Sequence, residues 1–272
     1  QDEGVAPSEP QPSSTSEGDG EEVRELYTWG RATNYQLGFA ANGDEQPAPR
    51  LAALQGKLQV SSVACGHFHS VAVSTCGAVL CWGFGGATSR LGIDMPDGTG
   101  LPQCVVEPTP LPEFGANRHI AVKAAAGMNH TLVLTHAGKV LAFGSNQHGQ
   151  LGLQGVPTGE SGQQQRPLVV RGLLKSEDVL DVAAGIAHSL CTTKSGSVFA
   201  WGSNACGALG LGMPPVGPTE AASPQQLPHL RGALVVAACS SRHVSAVIGS
   251  HGDPVIFGTA QGPDERGSGS GA

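Results

Sequence analysis

Apolar and polar residues alternate over short runs along most of the chain, and the runs recur at a regular spacing. One unit contains two β-rich runs, residues 131–134 and 139–143, joined by a turn that ends in Gly138. A glycine near the end of such a loop is typical of a β-hairpin, because glycine takes the positive φ that closes the turn. A run of small apolar residues, such as 179–184, precedes each hairpin and predicts a strand covered on both faces. Each unit therefore predicts a small antiparallel sheet.

A longer phrase surrounds these runs and occurs four times: Gly-x-x-His, an apolar run, a glycine turn, and an aromatic residue followed by glycine. The distance from the histidine to the last glycine is 14 residues from His69 to Gly83 and 15 residues from His243 to Gly258. A near-constant inner spacing with variable outer loops indicates a repeat architecture. We expect the repeated positions to be structural: Gly30, Gly38, Gly66, His69, Gly83, Gly92, Gly127, His130, Gly144, Gly152, Gly185, His188, Gly202, Gly210, His243 and Gly258.

Two further segments follow each aromatic-Gly step. The first, such as 144–152, is predicted to be a tight loop that ends in a Leu-Gly pair, because Asn and Gly tolerate left-handed backbone. The second contains proline, as in residues 47–51, 166–170 and 223–228. Because proline donates no backbone hydrogen bond, these segments are expected at sheet edges or between units.

These phrases resemble the repeats of the regulator of chromosome condensation family, whose members fold as seven-bladed β-propellers. The resemblance covers about residues 26–258 and rests on the recurring aromatic-Gly and Leu-Gly pairs. It implies an all-β fold of propeller blades, each a short antiparallel sheet, with about four to five blades present as part of a seven-bladed ring. Two copies depart from the pattern, because residues 83–92 are one residue longer and Ser240 replaces the glycine of the last phrase.

The repeat length leaves two architectures open. Gly30 and Gly258 are 228 residues apart over four intervals, so seven blades need roughly 400 residues at this period. The chain is then either a fragment of a longer propeller or a smaller closed ring in which residues 26–29 complete the last blade. The expected domains are a disordered acidic linker at residues 1–22, a partial propeller at 23–258, and a flexible Gly/Ser tail at 259–272.

The charge and the cysteine content limit the classes of partner that the chain is expected to bind and the cellular compartment in which it is expected. The net charge is −7 and the arginines are scattered singly, so we expect no nucleic-acid partner. No run reaches the roughly 18 apolar residues of a membrane helix, so no membrane insertion is expected. Cys65 and Cys239 stand where other copies have alanine, and Cys81 aligns with Ala142. Such cysteines are expected to be small buried residues in a reducing intracellular compartment, cytoplasmic or nuclear.

Catalytic motifs are not recognisable in the sequence. The chain lacks Gly-x-Ser-x-Gly and the Gly-Lys-Ser/Thr of a phosphate cradle. His67 and His69 alternate as metal ligands would, but only His69 recurs in the other copies. We therefore expect the recurring histidine to hydrogen-bond the backbone at a turn, and we expect no enzyme activity, no cofactor and no metal.

Function is then expected to lie in binding surfaces. Loop segments 93–117, 154–165 and 213–223 are long and variable, and propeller loops commonly bind partners. The sequence predicts a non-enzymatic scaffold that binds protein partners, with a small GTPase, a ubiquitin-ligase component and a kinase component as candidates. The family resemblance also implies an alternative, guanine-nucleotide exchange on a Ran-like small GTPase. Residues 26–38 resemble the first propeller repeat of scaffolds of the inhibitor of Bruton's tyrosine kinase type, which also carry ankyrin repeats and BTB domains.

Overall fold

The computed structural model describes residues 25–52, 54, 58–94, 103–212, 217–230, 235–240 and 243–259. The predicted acidic linker and residues 260–272 of the predicted tail lie outside the described residues. Within these ranges the chain forms two-, three- and four-stranded antiparallel sheets. The strands are β1 Tyr27–Arg31, β2 Glu45–Leu51, β3 Val60–Cys65, β4 His69–Ser74, β5 Val79–Phe84, β6 Cys104–Pro110, β7 Ala121–Ala126, β8 His130–Thr135, β9 Val140–Ser145, β10 Gln163–Val169, β11 Val179–Ala184, β12 His188–Thr193, β13 Val198–Ser203, β14 Glu220–Gln226, β15 Val235–Ser240, β16 Val244–Gly249 and β17 Pro254–Gly258.

Three of the sheets are complete four-stranded blades in which neighbouring strands follow chain order. They are β3–β6, β7–β10 and β11–β14. The remaining sheets are a three-stranded blade, β15–β17, and a two-stranded half-blade, β1–β2. Short 3-10 turns lie at Gly86–Thr88, Gly172–Ser176 and Pro228–Leu230. The predicted all-β fold of short antiparallel sheets is confirmed.

The fourth strand of each complete blade contains proline. Pro108 and Pro110 lie in β6, Pro167 lies in β10 and Pro224 lies in β14. Each of these strands is at the end of its sheet, and its register to the third strand shifts within the pair. An edge strand tolerates proline because one side of it needs no ladder hydrogen bonds. The expectation that residues 93–117 form one variable loop is wrong, since β6 lies within them.

The hydrophobic core lies between successive blades. One cluster joins Leu132 and Leu151 of the β7–β10 blade to Val182 and Trp201 of the β11–β14 blade. Corresponding clusters join the β3–β6 blade to the β7–β10 blade, and the β11–β14 blade to β16 and β17. A single blade is too thin to bury both faces of its sheet, so each blade is stabilised mainly by its neighbours.

The first half-blade packs at one end of this series. Leu26 and Ala52 contact Leu80 and Trp82 of the β3–β6 blade. Among the described residues, β1 pairs with β2 and β17 pairs with β16, and no sheet joins β1 to β17. The smaller ring, in which residues 26–29 complete the last blade, is therefore not formed in the described part of the chain.

Candidate functional site

Buried histidines connect each blade to the next through a hydroxyl group. His69 Nε2 lies 2.8 Å from Oγ1 of Thr131, which follows the next histidine in sequence, and Thr131 donates to the carbonyl oxygen of Arg90 at 2.9 Å. The same arrangement recurs twice, with His130, Ser189 and the Gln150 carbonyl, and with His188, Ser245 and the Ala208 carbonyl. We call this set of histidines and hydroxyls the histidine relay.

The hydrogen-bond pattern of the relay fixes the state of the imidazoles. Each hydroxyl uses its one proton to donate to a carbonyl, so the histidine Nε2 must carry the proton that the hydroxyl accepts. Burial lowers the pKa of His69 and of His130 to about 3, and that of His188 to about 4. The rings are therefore neutral at physiological pH. The prediction of a backbone partner for the histidine was wrong, because the partner is a side chain of the next blade.

The glycine of Gly-x-x-His leaves room for the histidine ring and for the next blade. A Cβ on Gly66 would lie 2.8 Å from His69 Nδ1 and 2.4 Å from the carbonyl oxygen of Gly127. Gly127 has the same surroundings, with His130 and Gly185. His67, which alternates with His69 in sequence, is exposed. His67 and His69, which the sequence suggested as a possible pair of metal ligands, therefore differ in burial: His69 is buried and His67 is exposed.

The aromatic-Gly and Leu-Gly steps meet across the same blade interfaces. Trp82 Nε1 donates to the Gln36 carbonyl and Trp201 Nε1 donates to the Gln150 carbonyl, both at 2.8 Å. A Cβ on Gly152 would lie 2.9 Å from Trp201 Nε1. The glycine after each loop leucine thus gives space to the aromatic ring of the following blade.

An asparagine holds the loop between the third and fourth strands. Asn146 donates through Nδ2 to the carbonyls of Val156 and Pro157 and accepts from the Leu151 N–H through Oδ1. Asn204 makes the equivalent bonds to Gly212, Pro218 and Leu209. These asparagines are not among the described residues with a positive φ. The positive φ occurs three residues later, at Gly149 and Gly207, and at Tyr35 and Ser89 in the other two loops.

The described loops that follow the third strands of the half-blade and the three complete blades lie on one side of the molecule. In an antiparallel blade the turn between strands one and two and the loop between strands three and four are at the same end of the sheet. We call this side the loop face. It includes residues 32–44, 85–94, 103, 146–162, 204–212 and 217–219, together with the Gly-x-x-His turns. Of the predicted partner segments, 154–162 lies on this face, whereas residues 95–102 and 213–216 lie outside the described residues.

Two arginines, Arg90 and Arg166, lie on or beside the loop face and have different surroundings. Arg166 contacts Asp94 at 2.7 Å, and both side chains are exposed to solvent. Arg90 is buried and lies over the rings of Phe68 and Phe84, at 4.9 Å and 5.5 Å from their centroids. In the described part of the chain, no three or more His, Cys, Asp or Glu residues are grouped to hold a metal ion. No described helix has the length and apolar character of a membrane span.

The cysteines differ from one another in burial. Cys81, Cys191 and Cys206 are buried, and burial raises the pKa of the Cys81 and Cys191 thiols. Cys65 is exposed, so the expectation that it is a buried replacement for alanine is wrong. It lies on β3, beside the half-blade, where fewer strands cover the sheet. The side chain of Cys239 lies outside the described part of the structure.

Stacked four-stranded antiparallel blades joined face to face are the architecture of a β-propeller. The family model of the regulator of chromosome condensation (RCC1) repeat matches residues 25–73, 137–192 and 195–247. A second model of the same repeat matches residues 121–150 and 179–208. The chain belongs to the RCC1-repeat family, as the repeat phrases predicted.

Curated relatives include probable E3 ubiquitin-protein ligases. The chain is 31% identical over 245 residues to HERC6 of Homo sapiens, covering 88% of this chain and 22% of that protein. It is 31% identical over 226 residues to HERC4 of Mus musculus, covering 82% of this chain and 19% of that protein. The chain thus spans about a fifth of the length of these relatives. The resemblance of residues 26–38 to Bruton's tyrosine kinase inhibitor scaffolds is not tested by them and stays a prediction.

Solved structures show the same fold. Human WBSCR16 superposes with a TM-score of 0.73 at 25% identity, covering 87% of this chain and 62% of its own. Prp20p of Saccharomyces cerevisiae, described with its binding properties to Gsp1p and histones, gives a TM-score of 0.68 at 22% identity. That match covers 86% of this chain and 54% of Prp20p. The predicted β-propeller class is confirmed, and membership of a seven-bladed ring stays a prediction.

Proposed function

We propose that this chain is a non-enzymatic protein-binding module that engages partners through its loop face. The observation that supports this proposal most directly is the use of the repeated polar residues. The recurring histidines His69, His130 and His188 with their hydroxyl partners, and the asparagines Asn146 and Asn204, are buried and bonded to neighbouring segments. Groups engaged in this way hold the blades together and are not available to a substrate.

The electrostatics of the relay support the same proposal. A general base works best when its pKa lies near the operating pH. Burial lowers the pKa of His130 to about 3, far from that range, and its Nε2 is already engaged with Ser189. We therefore assign these rings to fold stability and place function in the exposed loops, which vary in length from blade to blade.

The partner is proposed to be a protein. The chain carries a net charge of −7, which disfavours binding to nucleic-acid phosphates. Its relatives HERC6 and HERC4 are probable E3 ubiquitin-protein ligases of which the chain spans about a fifth. We propose that it acts as the partner-recruiting part of a longer intracellular polypeptide. Nucleotide exchange on a Ran-like small GTPase is the alternative, since a propeller face could promote nucleotide release by binding the nucleotide-free GTPase more tightly.

Photo-crosslinking from opposite ends of two neighbouring blades tests the proposal. A photoreactive side chain replaces Gln147, which is exposed on the loop face, or Lys194, which is exposed in the turn between β12 and β13 at the opposite end. The full chain is then used as bait in a cell lysate. We expect specific adducts from position 147 and none from position 194. Equal labelling from both positions would contradict a loop-face partner.

A second experiment, in which nucleotide is either removed or supplied in excess, distinguishes a scaffold from an exchange factor. The same bait is run with a chelator that strips nucleotide and with excess GTP and magnesium, and release of fluorescent GDP from a purified Ran-like GTPase is followed directly. A scaffold gives the same adducts in both samples and no acceleration of release. A GTPase adduct found only in the stripped sample, with faster release, would replace the scaffold assignment by the exchange alternative.

A further inference from the structure

The loop after β5 carries a cation where the loops after β1 and β9 carry a glutamine. In the loop after β9, Gln150 accepts from the His148 N–H at 2.8 Å and donates to Ser145 Oγ at 3.3 Å. Gln36, at the same position in the loop after β1, also accepts from a backbone N–H of its own loop. The loop after β5 has Arg90 at this position. A neutral side chain that is satisfied within its own loop is thus replaced by a charged one.

The side chain of Arg90 is buried but its hydrogen-bonding groups are only partly used. Arg90 is 4% exposed, and its guanidinium lies over the rings of Phe68 and Phe84. The Nε–H donates to Thr88 Oγ1 at 2.8 Å. Nη1 is buried without a hydrogen-bond partner. A guanidinium has five N–H donors, so the two on Nη1 are left unused in the free chain.

The positive charge of Arg90 is not balanced within the described residues. No described carboxylate lies within 4 Å of it, and Asp94 contacts Arg166 instead. Burial lowers the pKa of Arg90 to about 10, so the guanidinium remains charged at physiological pH. His69, whose pKa is lowered first by burial and next by the charge of Arg90, is neutral and supplies no negative charge. A buried cation without an anion is unfavourable, so this position favours an anionic ligand.

A glycine leaves the space beside the guanidinium without a side chain. A Cβ on Gly86 would lie 3.5 Å from Arg90 Nη2 and 2.9 Å from Phe84 Cε1. A side chain at this position would therefore lie against the guanidinium on the loop face. Because only 4% of Arg90 is exposed, the group that reaches it must be small.

The surroundings of Arg90 match a carboxylate better than a phosphate group. The two oxygens of a carboxylate fit the planar N–H fork of arginine, and its single negative charge balances one guanidinium. A phosphate group carries about −1.5 to −2 charges at pH 7 and is typically bound by a cluster of arginines. Arg166, the other arginine on or beside the loop face, is already paired with Asp94. One unpaired guanidinium is therefore available.

We propose that Arg90 binds the carboxylate of an aspartate or glutamate side chain of the protein partner. The carboxylate accepts hydrogen bonds from the guanidinium N–H groups that have no partner in the free chain, while Phe68 and Phe84 hold the guanidinium in place. This inference rests on the proposed binding function of the loop face and specifies the chemistry of the partner at that face.

Acetate tests the site without the partner. The arginine Nε–Hε signals of the full ¹⁵N-labelled chain are followed while sodium acetate replaces sodium chloride at constant ionic strength. We expect a saturable shift of the Arg90 signal, which is assigned by its loss in an Arg90→Met chain, and no saturable shift of the paired Arg166. Equal shifts of both signals, or no saturable shift of Arg90, would overturn the proposal. Saturation by phosphate at a lower concentration than by acetate would overturn the choice of a carboxylate.

An Asp97→Asn chain separates a partner's carboxylate from a carboxylate of this chain. Asp97 lies outside the described residues. We expect the same acetate titration with and without this substitution. Acetate binding that occurs only in the Asp97→Asn chain would assign the site to the chain's own loop and would overturn the proposal.

Melting temperatures distinguish a binding arginine from a structural one. Replacement of a buried charge by an apolar side chain of similar size is often neutral or stabilising. We therefore expect the Arg90→Met chain to melt at a higher temperature than the matched Gln150→Met chain, which loses bonds to His148 and Ser145. An equal or lower melting temperature for Arg90→Met would identify Arg90 as a structural residue and overturn the proposal.

Crosslinking separates failure of this inference from failure of the proposed function. The photoreactive group at position 147 is combined with Arg90→Met and used in the same lysate. Hydrogen bonds to a charged group contribute about 1.5–3 kcal/mol, so the adducts seen with Arg90 present should require about tenfold more chain or be lost. Undiminished adducts would overturn the role of Arg90 and leave loop-face binding intact. Absence of adducts from the chain with Arg90 would contradict loop-face binding, and the acetate titration would still decide whether Arg90 binds a carboxylate.

Discussion

The β7–β10 blade and the β1–β2 half-blade contain the same repeat phrase but differ in how much of it is buried. Phe143 and Trp29 precede the equivalent glycines, yet Phe143 is fully buried and Trp29 is 59% exposed. The other end of the molecule shows the same difference. Ile256 in β17 is 66% exposed, and the equivalent Ala200 in β13 is fully buried. The role of a residue in this fold therefore depends on its having a neighbouring blade.

The interior and the ends also differ in polar structure. Between β4 and β16 each described interface has a neutral histidine, a hydroxyl and a carbonyl in series. At the half-blade only the last two remain, in Ser70 and Gln36. The interior interfaces should therefore respond to acid and to substitution of the histidines, and the half-blade should not.

Acidification should weaken the interior interfaces most. The relay histidines have a pKa of about 3 to 4 in the fold and 6.5 in the unfolded chain, so the unfolded state binds more protons as the pH falls below 6.5. Stability is fully present above pH 6.5 and is lost towards pH 4, by about 2 kcal/mol for each ring at pH 5. Urea unfolding at several pH values measures this loss.

Substituted histidines provide the control for that measurement. Asn in place of His69, His130 and His188 should lower the stability at pH 7.5 and flatten its dependence on pH. Asn in place of the exposed His67 and His136 should leave the dependence unchanged. A pH dependence that persists without the three buried rings would mean that other groups cause it.

Alanine substitution at one repeated glycine position should cost more stability in an interior blade than in the half-blade. Gly144 and Gly30 both have φ near +109°, but a Cβ on Gly144 would lie 2.5 Å from the Asn129 carbonyl, whereas a Cβ on Gly30 meets nothing within 4 Å. Gly144→Ala should cost about 3 kcal/mol and Gly30→Ala about 1 kcal/mol. Gly43→Ala, without a positive φ or a close contact, should cost less than either. Equal melting temperatures for the first two variants would contradict the steric difference.

Truncation of a relay histidine should lower the stability by less than the Gly144→Ala substitution does. His130→Ala removes the hydrogen bond to Ser189 and should lower the free energy of unfolding by about 1–3 kcal/mol. His136→Ala, six residues away and exposed, should change it by less than about 0.5 kcal/mol. Denaturant titrations compare the two. Similar losses for both variants would remove the distinction between relay and surface histidines.

The smallest effects are expected at matched valines. Val182→Ala removes buried methyl groups and should cost about 1.5 kcal/mol. Val63→Ala, at the same position in β3 but 55% exposed, should cost less than about 0.5 kcal/mol. A Val63→Ala variant as unstable as Val182→Ala would contradict the difference in burial between the two positions.

Much of the fold could be predicted from the sequence because its determinants are local. The hairpin of β8 and β9 follows from the apolar runs around Gly138, and the recurring phrase predicts one antiparallel sheet for each repeat. The fourth strand was harder to predict, because its prolines resemble those of a linker. Its pairing depends on an edge position that becomes evident only once the sheet is assembled.

The candidate site was predicted less completely. The sequence identified His69, His130 and His188 as repeated positions but assigned them a backbone partner. Their hydroxyl partners are 62, 59 and 57 residues away, across loops of variable length. The role of Asn146 was also missed, although an asparagine at a fixed distance after the aromatic-Gly step was a signal for it.

The repeat family, the strand content of a blade and the positions where glycine or histidine is required can all be predicted from the sequence. These depend on local backbone geometry and on spacings that each copy repeats. The packing of the blades shows which copies of those positions are buried, which hydroxyl each histidine contacts, and why Cys65 and Val63 are exposed. A blade buries its faces and satisfies its polar groups against the next blade, and identical local sequences do not specify whether that neighbour is present.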